Sequence, residues 1–108
     1  MDVYSVARQL LVACNKVVLK FPPDERFNLS SQVKRSALSV LLNLAEGASR
    51  KSIRERCRFY EISRSSCVEI DAAFDASLDL RYVTGEDLTE AGNLLIRVFQ
   101  MLNKMMKP

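Results

Sequence analysis

The sequence predicts an all-α chain, an antiparallel up-down-up-down four-helix bundle that occupies residues 1–108 as a single domain. Three observations carry that expectation. Apolar residues recur at alternating three- and four-residue steps in four separate stretches, which is the period of an amphipathic helix. Helix breakers are scarce, with Gly 3 and Pro 3 in 108 residues, and the prolines fall only at Pro22, Pro23 and Pro108. No stretch alternates with period two over the length of a strand. Four seams joined by short connections describe a bundle with up-and-down topology. The composition, 48% apolar and 27% charged, excludes a disordered chain, and 108 residues suffice for one continuous core.

The first helix is expected from about Asp2 to Lys20, with Val3, Val6, Leu10, Ala13 and Val17 as its seam. Pro22-Pro23 stops it, because proline disfavours the α conformation at the residue before it. The loop PPDERFN leads to a second helix from Leu29, with Asn28 as N-cap and Val33, Ala37, Val40 and Leu44 as seam. Gly47 is expected as a left-handed C-terminal cap. The third helix opens on Ser52-Ile53-Arg54-Glu55, a capping box in which serine and glutamate serve each other's backbone N–H groups. Phe59, Ser63, Ser66, Ile70, Ala73, Ser77 and Leu80 keep its rhythm, and the small residues among them permit close approach of another helix. Thr84 caps the fourth helix and Asp87 complements its dipole. Leu88, Ala91, Leu95, Val98, Leu102 and Met105 form the last seam.

Several helices carry a second apolar stripe. Leu11, Cys14 and Val18 widen the first, Leu38, Leu41 and Leu42 the second, and Leu94, Phe99, Met101 and Met106 the fourth. On the third, Tyr60, Cys67, Phe74 and Leu78 share a face beside the seam. A wide stripe can simply feed the core, since about three of seven positions point inward in a bundle helix. Taken together, however, the excess predicts a homo-oligomer with Tyr60, Cys67, Phe74 and Leu78 at the interface, because large exposed apolar patches are rare on monomers.

Charge is unevenly spread. The net charge is +3 and the pI about 8.9, too mild to name a partner. Yet Arg50, Lys51, Arg54, Arg56 and Arg58 crowd the start of the third helix, with Arg64 two turns on. Arg54 and Arg58 share a face at i, i+4, and free N–H groups of the helix start add partial positive charge. These five residues are the candidate nucleic-acid contacts, by charge-assisted bonds to phosphate. The competing reading is a solvated helix face partly paired with acids. Without an aromatic-rich recognition motif, binding is expected to the backbone of RNA or DNA and to be salt-sensitive.

Farther along, Glu69, Asp71, Asp75 and Asp79 make the third helix acidic. Carboxylates of one helix rarely enclose a metal, so a solvated or subunit-docking face is expected there. Asn43, Glu46 and Arg35 suggest a structural hydrogen-bond network near the corner of the second and third helices, and Tyr4, Tyr60 and Tyr82 suggest half-buried anchors. The sequence has His 0, which removes the commonest general base and metal ligand. No glycine-rich phosphate loop, nucleophile elbow or zinc spacing occurs. The expectation is a protein that is not an enzyme and takes no cofactor. Cys14, Cys57 and Cys67 lack metal spacing and read as reduced thiols of a cytoplasmic protein. No signal peptide is evident, and the longest uncharged apolar-rich run, Ser36 to Ala45, is far too short to span a bilayer.

The stretch FPPDERFNLSSQVKRSALSVLLNLAEGASRKS, residues 21–52, resembles the signature of the small four-helix bundle proteins encoded in intervening sequences of bacterial 23S rRNA genes. The matching positions are Gln32, Arg35, Ser36, Asn43, Glu46 and Gly47. The likeness continues through FYEISRSSCVEID and the LRYVT turn, with Ser36 standing for the more usual alanine and Leu44 for isoleucine. The resemblance implies a four-helix bundle that assembles as a homopentamer. It also implies a likeness in architecture to accessory proteins of diversity-generating retroelements, basic pentamers that bind nucleic acid and a reverse transcriptase. Two functions are thus expected from different classes: a nucleic-acid-associated oligomer, and a scaffold that docks a protein partner on its acidic or apolar faces.

Overall fold

The computed structural model of the chain describes residues 2–107, and among them four α-helices and no strand. The helices are α1 (Val3–Val18), α2 (Leu29–Ser49), α3 (Ile53–Asp79) and α4 (Thr89–Met105). Helix α1 packs on α2 and α4, and α3 packs on α2 and α4, so the four enclose one apolar core. Val6, Leu10, Val33, Val40, Ile70, Val98 and Leu102 are fully buried there. Burial of each such side chain stabilises by about 1.5–3 kcal/mol relative to exposure. No described helix is long and apolar enough to cross a membrane.

Asp2 caps α1 by accepting from the Ser5 N–H at 2.8 Å. The helix unwinds ahead of Pro22, where Leu19, Lys20 and Phe21 each donate to a carbonyl three residues back. Phe21 then folds into the core, its ring centroid 5.8 Å from that of Tyr82. A short 3-10 turn at Pro23–Glu25 precedes α2. Asn28 stands at the N-cap position but makes no capping bond with its side chain. Glu25 does that work instead: its Oε1 accepts from the Leu29 N–H at 3.3 Å and from Asn28 Nδ2 at 2.9 Å. A longer acid one turn upstream satisfies the orphan donor, and the Asn28 amide is drawn to the same carboxylate.

Gly47 also differs from expectation. It lies inside α2, its φ is not positive, and the helix continues to Ser49. Its missing side chain serves packing, because the Tyr60 ring of α3 occupies the place of a Cβ. Close approach runs the length of the α2–α3 contact. Ser36, Ser63 and Ser66 are buried there, with Ser63 Oγ donating to the Val40 carbonyl at 2.8 Å and Ser66 Oγ to Ser39 Oγ at 2.9 Å. Each hydroxyl buried in a helix contact needs such a partner, and each bond contributes about 1 kcal/mol net.

Ser52 caps α3 as expected, accepting from the Glu55 N–H at 3.1 Å. The helix ends in a Schellman arrangement in which Tyr82 N–H reaches the Ser77 carbonyl at 3.0 Å and Arg81 takes φ 62°. A side chain in that left-handed conformation costs roughly 1–2 kcal/mol relative to glycine. Thr84 and Asp87 then form a reciprocal box. Thr84 N–H donates to Asp87 Oδ2 at 2.9 Å and Asp87 N–H to Thr84 Oγ1 at 3.2 Å. The turn that this box opens is 3-10, Glu86–Leu88, and regular α4 starts only at Thr89.

The second stripe of α3 is largely core. Tyr60, Cys67 and Phe74 are only 8%, 1% and 4% exposed in the single chain. These three do not form the exposed interface expected of them, because α3 is flanked by both α2 and α4 and so buries a broad arc. Leu78, at 38%, does face outward. Most of the other extra apolar residues are likewise packed on the core, among them Leu11, Leu41, Leu94, Phe99, Met101 and Met106. Apolar surface nonetheless remains at Val12, Leu38, Leu42, Ile62, Val68 and Ile96.

Candidate nucleic-acid interface

Residues 50–52 link α2 to α3, and the cationic cluster gathers at this corner. Arg56 is set apart by its direction. Half-buried, it turns back across the link so that Nε donates to the Arg50 carbonyl at 2.9 Å and Nη2 to the Lys51 carbonyl at 2.8 Å. A guanidinium placed there satisfies carbonyls just beyond the α2 C-terminus and neutralises the negative end of its dipole. Arg56 therefore shapes the corner.

The other four cations face solvent. Arg50 pairs with Glu46 at 2.9 Å, an exposed i, i+4 bridge worth only a few tenths of a kcal/mol. The Arg50 and Arg58 guanidinium carbons each sit over the Phe59 ring, both 5.0 Å from its centroid. Such contacts contribute about 0.5–1 kcal/mol at exposed sites and hold the planar groups in place. Lys51 and Arg54 engage no acid in an ion pair among the described residues. The corner thus presents two cations steadied on an aromatic ring and two reaching into water, beside the α3 N-terminus. That is chemistry suited to phosphate oxygens.

Arg64 belongs elsewhere. Its Nη1 donates to Asn103 Oδ1 at 2.6 Å and its other terminal nitrogen pairs with Glu61, which ties α3 to α4. Phe59 had the spacing of a seam residue, yet it lies half-exposed under the two arginines. The adjoining Arg58 was the one available hint of that role.

Residues of the 21–52 signature line the α2–α3 contact. Gln32 Nε2 donates to Ser36 Oγ and to Glu69 Oε2, both at 3.0 Å. Asn43 Nδ2 donates to the Ser39 carbonyl at 2.9 Å and to Ser39 Oγ at 3.0 Å, and Ser39 in turn meets Ser66 of α3. Asn43 and Glu46 therefore serve different partners. Arg35 lines a polar cleft with Gln32, Ser36, Ser39, Ser66 and Glu69. Tyr4 is exposed, Tyr60 buried, and Tyr82 half-buried with its hydroxyl donating to Glu25 Oε2 at 2.7 Å.

Asp71, Asp75 and Asp79 are exposed along α3. Among the described residues no three acidic, thiol or imidazole groups converge to hold a metal ion. Burial pushes the Cys67 thiol up to about 12 and, with a smaller contribution from nearby Cys67, the Cys14 thiol up to about 12 as well.

Four helices around one apolar core, with ionic chemistry on surface side chains and a cationic corner between two helices, define a small all-helical bundle protein. Within that class the sequence is matched from residue 1 to residue 104 by the family model described as 23S rRNA-intervening sequence protein, and the chain belongs to this family. The resemblance carried by Gln32, Arg35, Ser36, Asn43, Glu46 and Gly47 is thereby upheld. Comparison of the sequence with curated proteins found no match.

Proposed function

We propose that the chain is a non-enzymatic bundle of antiparallel helices that assembles as a homo-oligomer, with five copies as the expected number, and binds the phosphate backbone of RNA or DNA. The observation that carries the binding is the corner itself. Arg50 and Arg58 are steadied on Phe59, while Lys51 and Arg54 join no ion pair among the described residues and stand beside a helix N-terminus. Assembly is supported by the apolar residues that the single chain leaves uncovered, Leu38, Leu42, Ile62, Val68 and Ile96. Repeating the corner around a closed assembly multiplies a charge that one copy carries only weakly.

Binding to structured RNA and to duplex DNA across a salt series tests the reading. Four phosphate contacts per copy give a log–log salt slope of roughly −3 to −4 on B-form DNA. Arg54→Glu with Arg58→Glu lowers affinity and flattens that slope, whereas Arg56→Ala lowers thermal stability through the loss of its two carbonyl contacts. Unchanged affinity in the charge-reversed variant, still folded by circular dichroism, removes the corner from the site.

A further inference from the structure

The apolar groove between α3 and α4 has a wall of distinctive chemistry. Its volume is about 400 Å³, with Cys67 and Leu95 at its floor and Val68, Ile96 and Phe99 on its sides. Asp71 lines the groove from α3, and the exposed Asp75 lies beyond it, four residues on along the same side of the helix. Val68 and Ile96 are 55% and 56% exposed, so the single chain leaves the groove open. Neither aspartate joins an ion pair among the described residues.

The outer face of α2 is its complement. Lys34, Arg35, Leu38 and Leu42 are all exposed, and their three- and four-residue steps place them along one side of the helix, with Arg35 at the edge nearest the α2–α3 cleft. Its cationic end precedes its apolar stretch, and neither Lys34 nor Arg35 joins an ion pair among the described residues. An apolar helix face headed by two cations matches an apolar groove with one carboxylate in its wall and a second one helical turn beyond it.

We infer that a second copy of this chain lays the Lys34–Leu42 face of its α2 into the α3–α4 groove, with Lys34 and Arg35 against Asp71 and Asp75. The contact rests on the oligomer reading above and specifies how the copies meet. It joins two different surfaces, so each copy is at once donor and acceptor. Contacts of that kind propagate head to tail and end in a ring when the rotation closes. The apolar pairs supply the attraction, and the charge pairs set orientation and suppress other registers.

Sedimentation of the full chain over a dilution series tests the contact with three variants: Lys34→Glu/Arg35→Glu, Asp71→Lys/Asp75→Lys, and all four changes in one chain. Each pair alone weakens association by about tenfold or more through facing like charges, and the four together recover much of it. Circular dichroism identifies variants that remain folded. An assembly that persists unchanged through both reversals, or that the fourfold variant fails to recover, overturns this contact while leaving the oligomer reading intact. A wild-type chain that stays monomeric at every concentration overturns both. That second result is the one expected if a different protein fills the groove.

Discussion

The Tyr60 ring of α3 occupies the volume that a side chain on Gly47 of α2 would need. A Cβ on Gly47 would stand 2.5 Å from Tyr60 Cε1, 2.9 Å from Cδ1 and 3.2 Å from the Arg56 carbonyl oxygen. The glycine is thus demanded by an aromatic residue thirteen positions away, through the close contact of the two helices that frame the cationic corner.

Gly47→Ala measures that demand. Alanine is the better helix former by about 1 kcal/mol, but overpacking a helix contact costs about 1–3 kcal/mol. Because the nearest atoms belong to a rigid ring and a backbone carbonyl, neither of which moves cheaply, the net effect expected is a loss of about 1–2 kcal/mol. Urea denaturation checks it. In a Tyr60→Leu background the same change is neutral or stabilising, and a full loss persisting there would show that the ring is not the cause.

The Glu25–Tyr82 hydrogen bond makes stability pH-dependent in both directions. Accepting from the Tyr82 hydroxyl, then from the Leu29 N–H and the Asn28 amide, holds the Glu25 carboxyl below its ordinary value of 4.5. Its contribution is therefore fully present above about 4.5 and fades as pH falls through the lowered value. Tyr82 is raised above its ordinary 10.0, first by the hydrogen bond to Glu25, so its contribution is complete below 10 and is lost as pH rises through the raised value. Tyr82→Phe is expected to lower the melting temperature near neutral pH. The gap should narrow at both extremes of pH, and a constant gap would count against the linkage.

The three thiols differ in access. Cys14 and Cys67 are buried and held mostly protonated far above neutrality, while Cys57 is half-exposed. A maleimide at neutral pH is expected to label Cys57 alone in the native chain, because the thiolate is the reactive form, and all three in urea. Mass spectrometry of the labelled peptides reads this directly. Rapid native labelling of Cys67 would show that the α3–α4 contact opens readily.

Much of the architecture was legible from the spacing of apolar residues. The seams Val33–Leu44 and Leu88–Leu102 and the Ser52 cap were found where periodicity and capping chemistry placed them. What escaped was set by long-range contact. Gly47 looks like a helix stop until Tyr60 is seen against it, and Asn28 looks like a cap until Glu25 takes its place. Periodicity marks which residues are apolar on a face, but how wide an arc a neighbour covers depends on packing, so Tyr60, Cys67 and Phe74 could not be assigned to core or surface from spacing alone. Within the cationic cluster the residue types were visible. The inward turn of Arg56 and the seating of two arginines on Phe59 depend on the geometry of the link.

That link, only three residues long, also bears on the order in which the chain assembles. Joining α2 to α3 closes a small loop and sacrifices little chain freedom, whereas α1 meets α4 only after some seventy intervening residues have been gathered in. The cationic corner is therefore expected to form ahead of the α1–α4 contact that closes the bundle, since its pairing spans far less chain.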